Sequence, residues 1–305
     1  MDSQAALRGP ARRGASTKAP KGDNGVMVAP DAAYAPAVLG FLLLFLVTVL
    51  VVRAIRKDHR EFARFKRFRT TERRKKMYRK WLLDSVVVFG GSAVIVGIVA
   101  SQFVPLLKAE IDALPWVVAA RSNFADAGPL AVVIVVAVAA FVVIGTIVAV
   151  VLVRDTESVA AIGDIQALLP RNRAELGFGA ALSINAGIVE ELLFRLALPA
   201  LIFGVSRNAL LSVAASLLLF GLLHLYQGVV GVLASTVIGT LLMVLYFATG
   251  SILVPIIVHA LIDLRSLVLI PVVVARVHRV GGSESVNPRM AMHVARSGRG
   301  AGDGG

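Results

Sequence analysis

Acids, histidines and arginines are scarce in the long apolar stretches of this sequence. Those that do occur there are Asp84, Glu190, Glu191, Arg195, His224, His259, Asp263 and Arg265. A charge at the centre of a bilayer costs ~2.5–3.5 kcal/mol on insertion scales, so each must face a partner or a wet cavity. Glu191 and Arg195 are four residues apart, which sets them on one helix face as an ion pair. Glu190 points about 100° away from that face and is left free of the arginine, as a general base must be. His224 follows Phe220 by one helical turn, and His259 and Asp263 are again four apart, so the aspartate can orient the imidazole. Water held between Glu190 and His224, with His259 donating to a developing oxyanion, makes a minimal hydrolase. Two histidines and a carboxylate are also a zinc set; if a metal is present, Glu190, His224 and His259 are its candidate ligands. Each feature has a plainer reading. Glu191–Arg195 alone is a structural ion pair, His224 an interhelical hydrogen bonder, and His259–Asp263 packing glue or part of a transporter's proton relay.

The elements that must position these residues are membrane helices. Of the 305 residues, 57% are hydrophobic and 17% charged, against about 45–50% and 25% in soluble domains. Apolar runs such as Pro129–Val153 and Ser251–Val274 exceed the ~20 residues that span hydrocarbon. The expected fold class is all-α, a polytopic transmembrane bundle of about seven spans, or eight, drawn at 36–53, 81–106, 129–153, 178–203, 208–226, 228–248 and 251–275. Continuous rather than alternating apolarity excludes a transmembrane β-barrel. The absence of cysteine removes disulfides, thiolate metal sites and cysteine nucleophiles.

The net charge of +13 is concentrated. Between Arg53 and Lys80 lie fourteen Lys/Arg against Asp58, Glu61 and Glu72. A basic loop between two spans belongs on the cytoplasmic side, which places the N-terminus outside and the C-terminus inside. Phe62, Phe65 and Phe68 recur through it at helical spacing, suggesting an amphipathic helix on anionic headgroups; the lipid bilayer, not nucleic acid, is the expected partner. Tyr78, Trp81, Trp116, Tyr226 and Tyr246 sit near span ends like an aromatic belt. The expected organisation is a disordered extension over 1–35 with no removable signal peptide, three helices with the basic loop 53–80 over 36–153, a catalytic helical core over 154–275, and a disordered tail over 276–305. Segment 154–177 reads as a surface helix ending near Pro170. Residues 108–128 read as an external loop. Gly231, Ser235 and Gly239 form a small-residue stripe suited to close helix packing.

At the site residues the sequence resembles the CPBP family of intramembrane proteases, the CAAX prenyl protease and bacteriocin-processing type. Glu190, Glu191 and Arg195 match its EExxxR motif, Phe220 and His224 its FxxxH, and His259 and Asp263 its HxxxN, where Asp is frequent in bacterial members. The motifs fall in the family's order, and the resemblance covers roughly 155–275. It implies an integral membrane endopeptidase, metallo- or glutamate-type, with its site open to the cytoplasm and a membrane-associated protein or peptide as substrate. It also implies that Glu190 and His224 activate water while His259 and Asp263 form the oxyanion pair, with Phe194 and Phe220 beside the substrate. Asp263 departs from the asparagine, because an ionised carboxylate cannot donate to an oxyanion. No HExxH is present, Ile162–Asp164 lacks the GxGD pattern, and Gly90–Ala93 lacks the glycine of a rhomboid serine motif. The Ala/Val/Arg-rich composition suits a bacterial cytoplasmic membrane. The runner-up is a non-catalytic adaptor or immunity-type protein retaining the fold. Straight spans would put Glu190 near mid-membrane and His224 within ~10 Å of the cytoplasmic side, so sharing one water requires a tilt or different boundaries.

Overall fold

A computed structural model of the protein describes residues 35–130, 133, 140, 144, 167–273 and 276–281, and every regular element among them is helical. Helix α1 is Pro36–Phe65 and α2 is Thr71–Val99. The shorter α3, Phe103–Asp112, and α4, Pro115–Ala127, follow. Helix α5 runs 173–206, as Arg173–Glu191, a π turn at Leu192–Ala197, and Leu198–Ser206. Helix α6 is Ala209–Leu222, α7 is Gly228–Thr249, and α8 is Leu253–Val273. Four helices, α1, α2, α7 and α8, are long and apolar enough to cross a bilayer. Helix α5 has the length, but Glu190, Glu191 and Arg195 interrupt its apolar half. Large apolar side chains point outward from the bundle, Phe41 at 74% and Val229 at 75% exposure among them. Lipid covers such a surface and water does not, so the chain is an integral membrane protein.

The hairpin of α5 and α6 organises the site. The Asn172 side chain caps α5 by accepting from Glu175 N, and the Asn208 side chain caps α6 by accepting from Leu211 N at 2.9 Å. Arg207 takes left-handed backbone angles at the end of α5 (φ 53°). Residues 207 and 208 therefore reverse the chain in a minimal turn. Residues equidistant from such a turn meet across the hairpin. Phe194 and Phe220, each thirteen residues from Arg207, stack edge to face at 5.3 Å, and Ser216 Oγ donates to Phe194 O at 2.7 Å.

Helices α2 and α5 run parallel at a fixed offset of about 100 residues. Arg74 meets Glu175, Tyr78 stacks on Phe178 at 6.1 Å, and Asn185 Nδ2 donates to Ser85 Oγ at 2.8 Å. The first pair is fully buried. Arg74 Nε donates to both Glu175 oxygens at 3.1 and 3.0 Å, its Nη2 donates to Tyr78 Oη at 2.8 Å, and Tyr78 donates to Leu168 O at 2.7 Å.

Several sequence expectations change here. Residues 53–80 form mostly the facing ends of α1 and α2, with only 66–70 as a turn. Phe62 and Phe65, 4% and 0% exposed, face inward instead of lying on headgroups. The arginine and lysine stems around them can reach water while the rings pack. Tyr78 is buried in the Arg74 network rather than placed in a belt. The 108–128 stretch is helical through α3 and α4. Residues 276–281 pack on the start of α5, where Arg173 N donates to Val280 O at 3.3 Å. The third predicted span, most of the 154–177 surface helix, the N-terminal extension and the rest of the tail lie outside the described residues.

Candidate active site

The six polar motif residues divide into a held group and a free group. Glu191, Arg195 and His259 are buried at 0%, 2% and 6% exposure. Arg195 Nε lies 2.9 Å from Glu191 Oε2, an ion pair set off the hydrogen-bonding direction. His259 Nδ1 meets Glu191 Oε1 at 2.7 Å across the α5–α8 contact. The guanidinium also lies over the Phe220 ring at 4.6 Å and donates from Nη2 to Gly239 O at 3.2 Å. Glu191 is therefore the residue that orients His259. Asp263, expected to do so from its i,i+4 spacing, stands 3.8 Å from Nε2, beyond hydrogen-bond range.

Two glycines make this arrangement possible. A Cβ on Gly187 would fall 2.9 Å from Ala260 N and Ile256 O, so glycine lets the α8 backbone lie directly on α5. A Cβ on Gly239 would fall 2.8 Å from the Phe220 ring. Of the small-residue stripe on α7, Gly239 thus admits a side chain, and its carbonyl serves Arg195.

Glu190, His224 and Asp263 are only partly buried, so they line the accessible side of the site. No described residue hydrogen-bonds the Glu190 carboxylate, although it lies within Coulombic reach of His259 and Asp263. His224 is not on α6. The helix ends at Leu222 and the histidine sits in the following turn, with its N–H bonded to Gly221 O at 3.0 Å. Its Nδ1 donates to Phe220 O at 2.8 Å, which leaves Nε2 of the neutral ring as an acceptor. Glu190 and His224 are each seventeen residues from Arg207. Equal separation from the turn is the register in which Phe194 and Phe220 meet across the same hairpin.

Phe194 and Phe220, expected beside the substrate, are 2% and 3% exposed. They floor the site from within the core. Tyr226, taken in sequence for a belt residue, stacks on His224 at 6.2 Å and edges against Phe62 at 5.5 Å. Its place two residues after His224 was the only clue to this role. Arg265 pairs with neither Asp263 nor Asp84; the latter is held by Lys57 at 2.6 Å and Lys80 at 2.9 Å. Among the described residues, no three His, Asp or Glu side chains gather closely enough to hold a metal ion. The Glu190, His224 and His259 set as placed here therefore does not fit zinc.

Within this bundle of apolar helices a free carboxylate and an oriented imidazole are groups that can accept and donate protons. Residues 172–265, about a third of the chain, match the family model described as type II CAAX prenyl endopeptidase Rce1-like. The match agrees with the resemblance carried by the three motifs and takes in all of their residues. No curated protein and no solved structure matches the chain. Helices α1 and α2, which supply Phe62 and the Arg74 anchor, lie outside the matched segment.

Proposed function

We propose that the protein is a glutamate-type intramembrane endopeptidase that hydrolyses a peptide bond in a membrane-associated protein or peptide. The observation that carries this reading is the contrast between two adjacent glutamates: Glu191 is consumed by Arg195 and His259, while Glu190 is unbonded and accessible. Water donates one hydrogen to Glu190 and the other to His224 Nε2. As the water oxygen adds to the scissile carbonyl, Glu190 takes its proton. His259, its Nδ1–H given to Glu191, donates from Nε2–H to the oxyanion. The Asp263 carboxylate, 3.8 Å from Nε2, favours the doubly protonated ring through its charge alone and does not itself act as donor. Glu190 then passes its proton to the leaving amine, which restores both partners.

The finer topology belongs to the same proposal. Seven spans put the N-terminus outside and the C-terminus inside the cytoplasmic membrane of a bacterium. The catalytic core falls within 154–275, and the site opens toward the basic ends of α1 and α2. The test reconstitutes the full chain in proteoliposomes with a solubilised bacterial membrane-protein fraction and maps new N-termini by mass spectrometry. New termini with the wild type that vanish with Glu190→Gln and with His224→Ala are expected. The same termini appearing with Glu190→Gln would refute the proposal.

A further inference from the structure

Further along α5, past Glu190, a cavity lies between α3, α4, α5, α6 and α7. Its solvent-fillable volume is about 20 Å³, room for roughly one or two water-sized occupants. Val104, Leu107 and Val213 make apolar walls, and Lys108, Asp112, Arg121, Tyr246 and Arg195 supply the polar groups. Donors outnumber acceptors there. The one lining carboxylate, Asp112, is ion-paired with Lys108 and with Arg121, whose Nη2 lies 2.6 Å from Oδ1 but off the hydrogen-bonding direction. Burial works against the Asp112 carboxylate, but these two cations outweigh it and hold its pKa below the usual range. On the donor side, Arg195 Nη1 is buried and makes no hydrogen bond to a described residue. Its counter-ion Glu191 is shared with His259. Tyr246, half-buried, lines the same cavity.

Water would satisfy these donors but not their charge. Of the three lining cations, Lys108 and Arg121 are partly exposed and paired with Asp112; Arg195 is buried, and Glu191 behind it is divided between two partners. In a low-dielectric wall an unbalanced guanidinium calls for a counter-ion. We propose that this cavity is a binding site for a small monovalent inorganic anion of chloride size, held by Arg195 Nη1, Tyr246 and the Lys108–Arg121 pair. The site is independent of whether the protein hydrolyses peptides.

The probes are sodium chloride, bromide and gluconate at matched ionic strength, with the detergent-solubilised full chain and thermal unfolding as the readout. Chloride and bromide raise Tm saturably by about 3 °C, and gluconate, too large for the cavity, does not. Val213→Phe fills the cavity and abolishes the halide shift; Tyr246→Phe removes a donor at constant volume and weakens halide affinity at least tenfold. If Val213→Phe does not fold, the wild type and Tyr246→Phe still decide. Equal Tm in all three salts, the result for a cavity that holds only water, overturns the proposal. So does a halide shift that survives undiminished in the variants.

Discussion

The close approach of α8 to α5 at Gly187 sets the position of His259, and a single methyl tests it. In Gly187→Ala the new Cβ would stand 2.9 Å from Ala260 N, Ala260 Cβ and Ile256 O. Ordinary contact begins near 3.4 Å, so the helices must part by about half an ångström or more. His259 precedes Ala260 directly, and its 2.7 Å bond to Glu191 is the contact that absorbs the shift. Overpacking of this kind costs about 1–3 kcal/mol of stability. Misplacing a catalytic group by ~1 Å costs about 100-fold in rate, so half that displacement predicts a loss of kcat on the order of tenfold, with KM little changed. The assay is cleavage of a reporter that the wild type cuts in proteoliposomes, paired with Tm. Adding Ala260→Gly removes one of the three close contacts and leaves the two backbone ones, so partial rescue is expected. Wild-type kcat in Gly187→Ala would refute the placement of His259 by helix proximity, whatever happened to Tm.

Three further outcomes follow from other parts of the molecule. Arg74→Met leaves the fully buried Glu175 carboxylate without its cation and lowers stability by about 3–5 kcal/mol; calorimetry on Arg74→Met, Glu175→Leu and the double variant should find the double less damaged than the sum. Asp263→Asn restores an amide that can donate to the oxyanion and retains cleavage, whereas Asp263→Ala reduces kcat at least tenfold; equal rates in the two would remove Asp263 from the site. Asp112 has a folded pKa below its ordinary 3.8, so its ion pairs stabilise the protein above that pH and the gain is lost as pH falls through the folded value. Asp112→Asn should therefore lower Tm at neutral pH, with the gap to wild type closing below about pH 3.8.

The sequence disclosed the site better than its geometry. Glu191 and Arg195 were legible as a pair because i,i+4 spacing is a local property of a helix. Glu190 was legible as the free acid for the same reason. The partner of His259 was not, because Glu191 lies 68 residues away and only the approach at Gly187 brings the two together. His224 read as helical because apolarity continues to Tyr226, yet the chain turns after Leu222; no proline or run of glycines marks the break. The basic stretch 53–80 misled most. Composition there is that of a surface loop, while the pattern that decides its structure is the inward spacing of Phe62 against Tyr226 and of Phe65 and Tyr78 against Phe178 of α5. Arg74 and Glu175 are individually unremarkable charges whose partnership spans 101 residues, beyond the reach of any periodicity.

The two glutamates are adjacent, and their separate duties depend on where the helix changes pitch. The regular α-helix ends at Glu191 and the π turn begins at Leu192. An α-helix sets neighbours about 100° apart, enough to aim Glu191 into the core at 0% exposure and Glu190 at the accessible side. A π turn inserts extra backbone into the next turn and is common at functional sites. Here it carries Arg195, which must reach Glu191, Gly239 O and the Phe220 face together. Another π turn begins at Arg265, two residues after Asp263, and two more lie in α1 and α2, at Arg53–Asp58 and Val86–Gly90. An i,i+4 ion pair is possible on any helix; this one also reaches α7 at Gly239 O and α6 at the Phe220 ring.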